Sequence, residues 1–308
     1  MEEEIKSWLN KTGYPLELYV HKVALSRGYF CEKSPMYSDV ESGNTRELDV
    51  IAYKPGPEHP DYSYSLRLLF ECKKSEKPLL VLCDGKEKRE RFEHLFDHRQ
   101  VSDAGALTVM QALDHLGKQN HDVRANNIGR FSESIFSGYS VVQAFSTSDE
   151  NIYKGIMGIA KADDSFRSQY NKFFEDVTSA KKAPVFGRTP FQLRISVLVV
   201  DTSLWTVSLT NSGDLFTEET DWASLSIRLP WTVGKTSEGI ECNIQVVKKE
   251  SLEDFLLSVE QLHDFMSTPE TISWAISRIT KKSTRIPSFT FLRRLFMQDS
   301  ISIRNLHF

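Results

Sequence analysis

The chain has 308 residues, 40% hydrophobic and 26% charged, with 38 basic and 42 acidic side chains and a net charge of −4. That composition suits a globular protein of one large or two ordinary domains, and it excludes a strongly basic DNA-packaging protein. Local clusters of Lys and Arg can still grip phosphate, because binding depends on where the charges sit.

The first predicted helix runs from Tyr14 to Arg27. Pro15 suits a first turn, where its missing N–H costs nothing. Leu16, Val20 and Val23 recur at helical spacing, and Gly28 can close the helix in a left-handed conformation. Three strands follow: Tyr29 to Asp39, Arg46 to Tyr53 and Ser63 to Lys73. They are separated by the turn-rich stretch Glu41 to Thr45 and by the loop Lys54 to Asp61, which holds three prolines and one glycine. In the third strand Leu66, Leu68, Phe70 and Cys72 share one face, while Arg67, Leu69, Glu71 and Lys73 share the other.

Lys77 to Cys83 is a short apolar run, and the charged segment Lys86 to Gln100 reads as a solvated helix. Leu107 to Leu116 has helical character, and Tyr139 to Phe145 reads as a short strand. Asp149 is placed to cap a helix from Glu150 to Val177, with Ile152, Ile156 and Ile159 as its inner stripe. Phe191 to Val200 reads as a buried strand. Leu204 to Leu209, the turn Asn211-Ser-Gly213, Ser224 to Leu229 and Cys242 to Val247 continue the β pattern. Ser251 opens a last helix carrying Leu252, Phe255, Leu256 and Val259; Asp254 stands where a capping box prefers Glu or Gln. Beyond Pro269, Lys281, Lys282, Arg285, Arg293 and Arg294 lie among Trp274, Phe289, Phe291 and Phe296. This tail reads as a segment packed on the domain, with phosphate contact as a second role. The order helix, three strands, helix, strand fits an α/β domain on a mixed sheet, with residues 76–148 inserted before the second core helix.

The residues that carry chemistry are Asp49 and the tripeptide Glu71-Cys72-Lys73. Strand residues two apart share a side, so Glu71 and Lys73 reach one site while Cys72 points into the core. Asp49 lies on the neighbouring strand, where a hairpin sets it beside Glu71. Two carboxylates and the Cys72 backbone carbonyl are hard oxygen donors that suit Mg²⁺, and Mg²⁺ keeps waters that a phosphate can share. Lys73 would lower the pKa of an attacking water or offset phosphate charge. Glu17, on the first helix, could hold a water or second metal.

This pattern resembles the PD-(D/E)XK phosphodiesterase superfamily, in its restriction-endonuclease-like branch with type IV restriction and repair nucleases. The resemblance covers residues 14–83 and extends loosely to Ile195 to Val200 as a fourth core strand. It implies an α/β fold with an αβββαβ core and a mixed central sheet, plus a helical insertion and a C-terminal β/helical extension. Residues 1–268 would form the nuclease domain, with the insertion at 76–148, and 269–308 a basic, aromatic extension packed on it. Asp49 and Glu71 match metal ligands, Lys73 the catalytic lysine, and Glu17 the helix carboxylate. The implied cofactor is Mg²⁺, with Mn²⁺ as substitute. The implied activity is endonucleolytic hydrolysis of DNA in restriction, antiphage defence or repair, with RNA as the alternative substrate. A homodimer or larger defence complex is the implied assembly, and a non-catalytic or partner-activated subunit the alternative reading. The chain departs from the pattern in lacking a proline before Asp49, and its proline-rich loop lengthens the gap to Glu71.

Other constellations are weaker. Glu47 points the same way as Asp49 and competes for the metal role. His94 and His98 are one helical turn apart and could share a zinc ion, but Leu95 breaks the HExxH pattern and two solvated histidines are the plainer reading. His21, one turn beyond Glu17, could assist the site but reads as a surface residue. No GxSxG, GxxxxGK[ST] or GxGxxG occurs. Cys31, Cys72, Cys83 and Cys242 have no CxxC spacing, so no zinc ribbon is indicated, and a chain of this size does not need disulfides. The acidic start Met-Glu-Glu-Glu-Ile-Lys does not read as a signal peptide, and Ile195 to Val200 is too short to span a bilayer. A cytoplasmic, reduced setting away from membranes is the expectation.

Overall fold

The computed structural model describes residues 1–39, 41–58, 62–96, 121–146, 150–179, 189–229 and 240–268. The chain is mixed α/β. Helices α1 (Glu2–Leu9) and α2 (Tyr14–Ser26) lead into strands β1 (Phe30–Lys33), β2 (Met36–Ser38), β3 (Thr45–Glu47), β4 (Val50–Pro55), β5 (Tyr62–Lys74) and β6 (Leu79–Glu90). Then come α3 (Arg91–Phe96), α4 (His121–Ile128), β7 (Ser134–Gln143), α5 (Glu150–Ser179) and β8 (Thr189–Asp201). Strands β9 (Leu204–Leu209), β10 (Leu215–Glu219), β11 (Trp222–Leu229) and β12 (Ile240–Lys248) precede α6 (Leu252–Met266). Among the described residues no helix is long and apolar enough to cross a membrane.

Ten strands form one mixed sheet in the order β1-β4-β5-β8-β12-β11-β7-β6-β9-β10. At one end β1, β4 and β5 make an antiparallel meander, and β8 adds parallel to β5 after the crossover through α5. α2 and α6 cover one face. Leu16, Val20 and Val23 of α2 and Phe255, Leu256 and Val259 of α6 pack there with Leu66, Leu68, Phe70 and Cys72 of β5. α5 covers the other face, where Ile152, Ile156 and Ile159 meet Ile51, Leu69, Leu198 and Val200. Every β8 residue from Gln192 to Val200 is buried, Gln192, Arg194 and Ser196 included, so the strand is covered on both sides.

The structure departs from the sequence expectations at several points. The strand expected from Tyr29 to Asp39 is broken at Ser34 (φ 55°) and Pro35, and the one expected from Arg46 to Tyr53 is broken at Leu48 and Asp49. The pieces β2 and β3 form a separate two-stranded sheet. Asp39 holds this hairpin to α5: its buried carboxylate meets Arg46 Nε at 2.6 Å and Lys161 Nζ at 3.0 Å.

The 76–148 insertion is not helical throughout. It supplies β6 and β7, and its β7 pairs parallel with β11, so it shares the sheet with the C-terminal strands. The expected solvated helix from Lys86 to Gln100 is also corrected. β6 continues to Glu90 past an irregular register at Cys83, and the short α3 buries Arg91, Phe92, His94 and Leu95. Its charge run misled because Arg91 finds its partners inside: Nε pairs with Glu133 at 3.4 Å, Nη1 donates to the Trp222 carbonyl at 2.7 Å, and the guanidinium lies 4.3 Å from the Trp222 ring centre. Leu107 to Leu116, His98 and the tail 269–308 lie outside the described residues. α1 and β10 went unanticipated; β10 is exposed along its whole length, so it has no burial pattern to read.

Candidate active site

The site lies where the β4–β5 ladder runs out. The β4–β5 register ends with Val50 opposite Phe70, so Asp49 and Glu71 are the next residues along the two chains. Glu71 and Lys73 follow Leu69 in the alternation and face α5, where Gly155 and Gly158 lie against them. Cys72 is 4% exposed and packs on the opposite side with Phe70 and Leu68.

The break in the second strand serves this arrangement. Asp49 has left regular pairing, and its Oδ2 accepts the Cys72 N–H at 2.6 Å. An extended residue's N–H and C=O point to the same side, so the Cys72 carbonyl also faces the Asp49 side of β5. Lys73 Nζ donates to Glu71 Oε1 at 2.7 Å. These bonds leave Asp49 Oδ1 and Glu71 Oε2 without hydrogen bonds among the described residues. Two unengaged carboxylate oxygens and a nearby carbonyl fit the donor set of a hard divalent cation.

The electrostatics follow from burial. Removal from water, then the nearby Asp49 charge, push the Glu71 carboxyl up to about 7, while Lys73 pulls the other way. Burial likewise raises Asp49, opposed by the Cys72 N–H and by Lys73. For Lys73, burial acts to lower the ammonium pKa, but the Glu71 charge and hydrogen bond, with Asp49, outweigh it and hold it above the ordinary lysine value. Two acids that resist ionisation and one amine that stays protonated make a site short of positive charge, the condition a metal ion relieves.

Glu17 comes from α2 on the far face and reaches the same end of the sheet. It is half-buried; desolvation raises its carboxyl first, then Asp49 and Glu47, with Lys73 opposing. No group of three or more His, Cys, Asp or Glu side chains is gathered for one ion among the described residues. Glu17 is therefore coupled to Asp49 through charge, at a distance. Glu47 is exposed in β3, opposite Met36. His21 is half-buried on α2, its pKa lowered by burial and then Lys33. His94 is fully buried in α3, which corrects its reading as a solvated surface residue.

The sequence reading missed the roof of the site. Gly155 and Gly158 of α5 lie over Lys73 and Glu71. A Cβ on Gly155 would come 2.6 Å from Lys73 Cε, and one on Gly158 would stand 3.9 Å from the Glu71 carboxyl carbon. Two glycines inside a strongly amphipathic helix were the available signal, since interior glycine weakens a helix unless something must approach closely. No protein-family model, curated protein or solved structure matches the chain.

Proposed function

We propose that this chain is a Mg²⁺-dependent phosphodiesterase acting on nucleic acid, DNA before RNA, on a restriction-endonuclease-like core. The observation that carries the reading is the cluster at the end of the β4–β5 ladder, Asp49 bonded to the Cys72 N–H and Lys73 to Glu71, with an unengaged oxygen on each carboxylate. The order α2, the meander β1-β4-β5, α5, then β8 parallel to β5 supports the same core.

Asp49 Oδ1, Glu71 Oε2 and the Cys72 carbonyl would hold Mg²⁺, which supplies Lewis-acid polarisation of the scissile phosphate and an acidified water. Lys73 is kept protonated by Glu71, so its ammonium offsets charge on a non-bridging phosphate oxygen as attack proceeds. Glu17 sits where a carboxylate can orient the attacking water. α5 closes over the pair and excludes bulk solvent, which strengthens each of these interactions.

The test is cleavage of single-stranded DNA, duplex DNA and RNA with Mg²⁺ or Mn²⁺, and its arrest by EDTA. Lys73→Ala should cut about 10²-fold or more slowly with melting and nucleic-acid binding preserved. Wild-type inertness with every substrate and metal, or an undiminished rate in Lys73→Ala, overturns the reading. The near-burial of Glu71, 9% exposed, favours one second reading, a nuclease that opens only on meeting a partner. It differs in one observable: Mg²⁺ binds the isolated protein weakly until that partner is added.

A further inference from the structure

Helix α1 buries none of its residues, yet it carries Ile5 and Trp8, 52% and 59% exposed. Packing among the described residues does not account for them. The helix is anchored to β5 next to the candidate active site, from the α2 face. Lys74, next to Lys73 on β5, donates through Nζ to the Asn10 carbonyl at 2.5 Å, in the turn between α1 and α2. That turn ends at Gly13, where an added Cβ would stand 3.4 Å from Glu17 Oε1. Tyr14 follows, 52% exposed, with its ring centre 6.5 Å from that of Trp8 and the planes tilted by 43°. Leu18, one turn further and beside Glu17, is 56% exposed. Two aromatic faces and an apolar edge thus lie beside Lys74 and Glu17, at the end of the sheet that carries Glu71 and Lys73.

The charges around them sort by position. The acids of α1 are engaged at its far end: Glu2 and Glu3 with Lys6 at 2.7 and 3.1 Å, and Glu4 with the N-terminal amine at 3.2 Å. At the near end, Lys11 and Lys74 have no carboxylate partner among the described residues. Exposed aromatics beside uncompensated lysines are what an unpaired nucleic-acid strand requires. Bases stack on the rings whatever their identity, and phosphates meet the ammonium groups. A duplex keeps its bases stacked on each other and offers none to the rings.

We infer that Trp8 and Tyr14 form a stacking platform for unpaired nucleotides flanking the scissile phosphate, with Lys11 and Lys74 on the adjoining backbone. The inference rests on the phosphodiesterase reading and narrows its substrate to single-stranded nucleic acid or an unpaired end.

The test is binding of a fluorescently labelled oligothymidylate and of a blunt duplex of equal length to the full chain in EDTA, read by anisotropy. Single-strand affinity should exceed duplex affinity. Trp8→Ala or Tyr14→Ala should each weaken the single strand by roughly tenfold and leave the duplex unchanged. Trp8→Phe should restore most of the loss. α1 buries no residue and Tyr14 at the start of α2 is 52% exposed, so these variants should melt with the wild type. In Mg²⁺, Trp8→Ala should raise KM for the single strand without lowering kcat. Equal affinity in wild type and variants, a duplex preference, or no oligonucleotide binding overturns the platform. So does Trp8-dependent self-association or vesicle binding without a strand effect. Trp8-dependent binding without cleavage keeps the platform and removes the nuclease; cleavage indifferent to both aromatics does the reverse.

Discussion

Gly155→Ala separates positioning from stability more cleanly than any change to the acids or the lysine. The new methyl carbon would lie 2.6 Å from Lys73 Cε, 3.1 Å from Cγ and 3.4 Å from Cδ. Carbon atoms meet comfortably at about 3.5–4.0 Å, so Lys73 Cε must withdraw by about 1 Å. The helix cannot rise instead, because Ile152, Ile156 and Ile159 beside Gly155 are 2%, 5% and 0% exposed in the core. The lysine therefore yields, and the Nζ that now sits 2.7 Å from Glu71 Oε1 moves with it. A misplacement of about 1 Å in a reacting constellation can cost about 10²-fold in rate, or about 2.7 kcal/mol of activation free energy. Ala is meanwhile the better helix former by about 0.8–1.0 kcal/mol, which offsets the local crowding, so the melting temperature should stay close to wild type.

Gly158→Ala is the matched control. Its methyl carbon would stand 3.9 Å from the Glu71 carboxyl atoms, an ordinary contact, so this variant gains helix propensity without displacing a reacting group. Single-turnover cleavage should be about 10²-fold slower in Gly155→Ala and close to wild type in Gly158→Ala. In a Lys73→Ala background, Gly155→Ala should cost nothing more, since the group it displaces is gone. An unimpaired Gly155→Ala, or a loss that persists without Lys73, would refute the account of α5 as the element that seats the lysine.

Two further outcomes are expected. If Asp49 and Glu71 hold Mg²⁺, the ion at a hundred times its Kd should stabilise the fold by about 2.7 kcal/mol. EDTA, Asp49→Asn and Glu71→Gln should each abolish that thermal shift, and a shift that survives in both variants places the ion elsewhere. Asp39→Asn should lower stability at pH 7 by about 2 kcal/mol. Burial alone would raise this carboxyl, but Lys161 and the backbone N–H groups of Glu41 and Ser42 hold it at about 2, against an ordinary 3.8. A depressed carboxyl stabilises the fold above its unfolded value and stops doing so as pH falls through the folded one. The wild-type advantage in urea unfolding should thus be level from pH 5 to 8 and vanish near pH 2; a difference independent of pH contradicts the ion-pair account.

What the sequence made legible was local. The β5 alternation alone assigns Glu71 and Lys73 to one side and Cys72 to the other, and the structure has them there. The inner stripe of α5 and the β8 strand were equally plain, because burial on one or both faces leaves a direct imprint on residue order. The failures fall where a residue's state depends on a distant partner. Arg91 reads as solvated until Trp222 and Glu133 are beside it, and α3 was misjudged with it. Asp39 is a buried anion because Arg46 and Lys161 converge on it from β3 and α5, residues that nothing in the local pattern links to it.

The same division runs through the candidate site. Spacing could gather two acids and an amine, but it could not say how dry the place would be. Dryness decides the chemistry here. Exposed to water, Glu71 and Lys73 would be one more ion pair on a strand, worth under about 1 kcal/mol and of no catalytic use. With α5 drawn down over them at Gly155 and Gly158, the Glu71 carboxyl is pushed up to about 7 beside a second acid, and the lysine is held in its charged form. A buried pair of reluctant acids is costly to keep. That cost becomes intelligible when a cation completes the charge balance, and it ties the function of the site to Gly155, which carries no chemistry of its own.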